Sequence, residues 1–210
     1  MDHLADSIFI WYDCRDEPVS NSGNQEDEMR SKDETLREAL LLAAKNIVET
    51  EGPEAVNIRA IAKATGVASG TVYNYFTGKD DILLALTQGY WCRTLGEMEG
   101  VIGSGSFAVQ LEEVYCFLNE HIRQSAGMLM GSLGGARESG RRQMQSMQKE
   151  LNILIFGYLE RDDKIREDVW DETFTMEAFA EFVTMNIMAL LGMKEAKAEF
   201  LLETVRRILY

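Results

Sequence analysis

The stretch Asn57-Ile58-Arg59-Ala60-Ile61-Ala62-Lys63-Ala64-Thr65-Gly66-Val67-Ala68-Ser69-Gly70-Thr71-Val72-Tyr73-Asn74-Tyr75-Phe76-Thr77-Gly78-Lys79 decides the fold. Asn57 is a strong helix N-cap, because its side-chain oxygen can accept an otherwise orphaned backbone N–H. Ile58, Ile61 and Ala62 follow at helical spacing and predict a short helix ending at Thr65. Gly66 then supplies the turn, since glycine enters the positive-φ region without steric cost. A second short helix is expected from about Ser69 to Tyr75, and Thr77-Gly78 breaks it.

Two short helices joined by the four-residue turn Gly66-Val67-Ala68-Ser69, with a further helix upstream, form a helix-turn-helix pattern. Ala62 is small where crossing helices approach, and Ile61, Val67, Val72 and Phe76 are apolar where the three helices meet. The residues left over on the last of them are Ser69, Gly70, Thr71, Tyr73, Asn74 and Tyr75. They make a short polar and aromatic face at the end of a helix-turn-helix that enters the DNA major groove.

Upstream, Ser31-x-x-Glu34 reads as a capping box, and Leu36, Leu40, Ala43 and Ile47 continue at helical spacing until Gly52-Pro53 stops the helix. Residues 1–30 are polar and acidic and are assigned to a disordered tail. Two readings of that tail stay open: an acidic arm beside the DNA-binding unit, or sequence ahead of a true start at Met29. Downstream, Asp80 and Asp81 suit the first turn of a helix running to about Met98, and residues 100–106 read as a loop. Amphipathic patterns then mark helices through Phe107–Ile122, Met144–Tyr158, Thr175–Leu191 and Lys194–Tyr210. Residues 124–140, rich in Gly and Met, give no firm pattern. The expectation is an all-α protein: a helix-turn-helix unit at residues 31–78 and a larger helical domain at residues 79–210.

The segment from Ile58 to Leu83 resembles the signature of the tetracycline-repressor (TetR/AcrR) family. The resemblance is carried by the Ile61-Ala62 pair, the Gly66-Val67 turn, the Gly70-Thr71-x-Tyr73-x-x-Phe76 helix and the following Lys79. It covers about an eighth of the chain, and Asn57 stands where the family more often has Thr, another N-cap. The resemblance implies that Tyr73 and Lys79 meet DNA phosphates. It also implies that Arg59, Ser69, Gly70, Thr71 and Asn74 meet bases or nearby phosphates. Tyr75 is divided evenly between DNA contact and core packing. Arg can read guanine and Asn adenine through paired hydrogen bonds.

A net charge of −14 runs against DNA binding until the charges are placed. Residues 1–28 carry 8 acids and 1 base, whereas residues 57–79 carry three bases (Arg59, Lys63, Lys79) and no acid. Phosphate attraction is decided locally, over a screening length of about 8 Å. The three cysteines, Cys14, Cys92 and Cys116, have no metal-type spacing and read as isolated reduced thiols. With His3 and His121 the only imidazoles, neither a zinc site nor a His-based relay has enough parts. No cofactor is expected. No apolar run approaches the about 20 residues a bilayer needs, and no signal peptide is evident, so the expected location is the cytoplasm with no membrane association.

The resemblance further implies a homodimer on a palindromic operator, repressing transcription until a small-molecule effector enters the larger domain. A rival reading puts a protein partner in the effector's place. Position and residue type nominate Tyr90, Trp91, Leu118, His121, Met147, Phe156 and Met185 around an effector, with His121 and Asn186 as its polar contacts. The helices at residues 175–191 and 194–210 are nominated for the dimer interface.

Overall fold

Local signals set the first helices. In the computed structural model, Asn57 is extended and its side chain accepts the Ala60 N–H at 3.0 Å, capping α2 (Ile58–Thr65). Gly66 closes that helix at φ 73°, in the left-handed region. The structure describes residues 24–122, 137–193 and 197–210. The nominated tail up to residue 23, most of the Gly/Met-rich segment and the expected start of the last helix at Lys194 lie outside those residues.

All regular structure among the described residues is helical, in eight α-helices. Besides α2, they are α1 (Asn24–Glu51), α3 (Ser69–Tyr73), α4 (Lys79–Glu99), α5 (Phe107–His121), α6 (Arg137–Glu160), α7 (Met176–Leu191) and α8 (Glu199–Leu209). Single helical turns occur at Pro53–Ala55 and Glu167–Val169. α1 begins at Asn24 rather than Ser31, so Ser31 lies inside the helix and the capping box is not its start. Gln25-Glu26-Asp27-Glu28 lacks an apolar stripe to announce a helix, yet acids in a first turn favour one by complementing the helix dipole. The chain divides into two units, residues 1–93 with 126–140 and residues 94–125 with 141–210. The division falls within α4 rather than ahead of it.

The first unit is built on one apolar cluster. Leu40, Leu41, Ala44 and Ile47 of α1 meet Ile58, Ile61 and Ala62 of α2, Val72 and Phe76 at α3, and Ile82, Leu83 and Leu86 of α4. The first two turns of α4 therefore belong to the helix-turn-helix unit by packing. Full burial of each large side chain contributes on the order of 1.5–3 kcal/mol. Arg37 lies over the Phe76 ring at 5.5 Å and covers the cluster's edge.

The second unit is a helical bundle. Leu111, Val114 and Leu118 of α5, Met147, Leu151 and Ile155 of α6, Phe179, Val183 and Ile187 of α7, and Leu202, Val205 and Leu209 of α8 are all buried. Asp162, after α6, ties three strands of chain together. Its carboxylate accepts the Phe107 N–H at 2.6 Å and the Lys164 N–H at 3.0 Å, and it also accepts the Tyr210 hydroxyl. Arg166 adds a bond from its guanidinium to the Ile208 carbonyl at 2.8 Å. Cys92 is disulfide-bonded, against the expectation of an isolated reduced thiol there. Cys116 is a free thiol.

Candidate nucleic-acid interface

The connection from α2 to α3 is the three residues Gly66, Val67 and Ala68, with Ser69 already helical. The turn is held by the Val67 N–H to the Ala62 carbonyl at 3.1 Å, and α3 starts from the Ala68 carbonyl, which accepts the Thr71 N–H at 2.9 Å. Val72 and Phe76 anchor α3 on its inner side at 0% and 2% exposure. The helix can therefore present its remaining residues outward without losing its seat.

Those outward residues are the nominated ones. Arg59, Gly70, Tyr73 and Asn74 are exposed, while Ser69 and Thr71 are half-buried. Tyr73 is 60% exposed, an unusual placement for a large ring that packing would otherwise claim. A Cβ at Gly70 would meet nothing within 4 Å, which leaves open space on the outer side of α3. Arg59 and Lys63 on α2 are exposed too, so two of the three bases in the acid-free stretch stand in solvent.

Tyr75 and Lys79 behave differently. Tyr75 is half-buried against the first unit's cluster, and its hydroxyl donates to the Asp33 carboxylate on α1. That hydrogen bond holds the phenol protonated and raises its pKa above the usual tyrosine value, with a smaller contribution from burial. Lys79 donates from Nζ to the Glu54 carboxylate at 2.9 Å and to the Glu54 carbonyl at 3.4 Å. Asp81 accepts the Thr77 N–H at 2.9 Å and so fixes the entry to α4. Asp33 and Glu54 had no signature in the sequence. They lie 42 and 25 residues from the groups they hold, and only tertiary packing brings them there.

The residues nominated around an effector fall in both units. Tyr90 and Trp91 belong to the first; Leu118, His121, Met147, Phe156, Met185 and Asn186 belong to the second. Trp91 is 1% exposed, and its indole N–H has no hydrogen-bond partner among the described residues. Leu118 and Met147 are buried and Phe156 is half-buried. The His121 ring stacks on Phe117, with its Nδ1 2.8 Å from the Phe117 carbonyl. Asn186 donates to the Phe182 carbonyl of its own helix at 2.8 Å. Met185 is 54% exposed, on the surface of α7 rather than in the bundle's interior.

Residues 40–86 match the family described as bacterial regulatory proteins, tetR family. The fatty acid metabolism regulator protein of Bacillus subtilis (strain 168) is 29% identical over 117 residues, 56% of this chain. The chain spans 59% of that relative's length. Among solved structures, the fatty acid degradation regulator FadR from Bacillus halodurans superposes with a TM-score of 0.51 at 17% identity, covering 82% of this chain and 91% of its own. A transcriptional regulator of the TetR/AcrR family from Thermobifida fusca superposes with a TM-score of 0.50 at 15% identity, covering 83% and 96%. At those identities the structural likeness speaks for the fold, while the match over residues 40–86 covers the helix-turn-helix itself. Over residues 40–86, the helix-turn-helix and its flanks, the chain is similar to the tetR family of bacterial regulatory proteins.

Proposed function

We propose that the chain is a DNA-binding transcriptional repressor, not an enzyme, that works as a homodimer on a palindromic operator and is released by a small-molecule effector. The observation that carries DNA docking is the seating of α3: its apolar side is buried while Tyr73, Asn74 and the neighbouring Arg59 stand in solvent. In this reading Tyr73 and Lys79 take backbone phosphates, Tyr75 lies at the edge of that contact, and Arg59, Ser69, Gly70, Thr71 and Asn74 face the groove. Footprinting on the DNA flanking the chain's own gene tests it. A protected segment with two-fold sequence symmetry is expected, and the absence of protection at micromolar protein would overturn the reading.

Dimerisation is supported by α7, which carries apolar residues on its outer side as well as its inner one. Ala178, Phe182, Met185 and Ala189 are all exposed and recur at spacings of four, three and four residues. Phe200 on α8 is 86% exposed. Such a stripe is the pattern that a second helix covers, and a two-fold dimer matches a palindromic site. The buried Trp91 N–H supports the effector reading, because a ligand acceptor would satisfy it. Two of the similar proteins are named for fatty-acid control, which makes long-chain acyl compounds the first effector probes. Release of bound DNA by such a compound is the expected result. No coupling with a wide panel of small molecules would favour a protein partner. No described helix is long and apolar enough to cross a membrane, and the reading places the protein in the cytoplasm with its DNA.

A further inference from the structure

Lys79 already has a partner in the DNA-free chain, and that partner is anionic. Gly52, at φ 88°, turns the chain at the end of α1. Pro53 is buried in the following helical turn, which leaves Glu54 facing outward with its side chain 81% exposed. From there it grips the Lys79 ammonium with two oxygens, the carboxylate at 2.9 Å and its own carbonyl at 3.4 Å. The Lys79 side chain retains 30% exposure. Tyr75 shows the same arrangement, donating to the Asp33 carboxylate.

We propose that Glu54 stands in for a DNA phosphate at Lys79, so that docking exchanges one anion for another and nonspecific affinity is kept low. The inference rests on the DNA-docking reading above. Its consequence is quantitative. A lysine that meets a phosphate normally releases a condensed counterion, contributing about −0.9 to the slope of log K against log salt. When the same lysine first leaves a carboxylate, the freed carboxylate stands beside the docked phosphates, and their combined field draws a cation back. The two ion movements oppose each other, and the Lys79 contact contributes little to the slope.

The exchange predicts a specific pattern in a double-mutant cycle of Glu54→Gln and Lys79→Met. The full chain is titrated with a fluorescein-labelled 24-base-pair duplex of random sequence, by anisotropy, across a range of potassium chloride concentrations. Glu54→Gln is expected to tighten binding roughly two- to five-fold, the equivalent of an exposed ion pair, and to steepen the slope by up to about 0.9. In the Lys79→Met background the same change is expected to do neither. If the gain persists without Lys79, Glu54 acts only through its charge on the DNA field, and the exchange is wrong. An unchanged slope in Glu54→Gln also overturns it. If none of the four proteins binds either this duplex or the footprinted operator, the docking reading itself falls and carries this inference with it.

Discussion

At the scale of single residues, the helix-turn-helix unit is organised by a few side chains with separable jobs. Gly66 sits at φ 73°, where a Cβ is strained, so Gly66→Ala is expected to cost about 1–2 kcal/mol, read as a lower midpoint in urea denaturation. A Cβ there would meet no neighbouring atom, so the cost comes from the backbone alone. Asn57→Ala removes the α2 cap and is expected to cost about 1 kcal/mol. In the second unit, Asp162 carries a pH dependence. Partial burial disfavours its charged form, but the hydrogen bonds from Tyr210, the Phe107 N–H and the Lys164 N–H prevail and lower its pKa below the usual aspartate value. A carboxylate depressed on folding contributes stability that is present above its unfolded pKa, about 3.9, and lost as pH falls through the folded value. Asp162→Asn is therefore expected to be less stable than the parent at pH 7, with the difference shrinking below about pH 4. A difference independent of pH would contradict the assignment.

At the scale of elements, what the sequence disclosed depended on how local each signal was. The limits of α2 were readable because an Asn N-cap and a positive-φ Gly act within one turn of the residues they bound. Burial of Ile61, Val72 and Phe76 followed from their spacing. The start of α1 was not readable, because Gln25 to Glu28 carry no apolar periodicity and periodicity was the signal in use. Nor could position and residue type tell the inner side of α7 from the outer one, since both carry apolar residues; Met185, nominated for an effector site, is 54% exposed. That outer stripe makes its own prediction. Phe182→Glu with Met185→Glu is expected to convert a dimer of about twice the chain mass into a monomer in sedimentation velocity, while the far-ultraviolet circular dichroism stays helical. A variant that remains dimeric would place the interface elsewhere.

At the scale of the whole molecule, the charge that first argued against DNA binding sorts by position. The net charge is −14, yet residues 57–79 contain no acid, and their basic residues Arg59 and Lys63 are exposed. The acids that touch the nominated DNA-contacting residues, Asp33 and Glu54, come from outside that stretch and reach it only through folding. Composition therefore gives the overall repulsion, and tertiary structure gives the local competition. Weak nonspecific binding is the expected behaviour of such a molecule.

The measurement that bears most directly on the docking of residues 57–79 compares Tyr73→Ala and Arg59→Ala on two duplexes, the footprinted operator and a random sequence of the same length. Tyr73 is assigned to the DNA backbone, so its loss should weaken both duplexes by a similar factor. Arg59 is assigned to the groove, so its loss should weaken the operator more, by about 1–3 kcal/mol if it reads a base. Wild-type affinity for both duplexes in both variants would contradict the account.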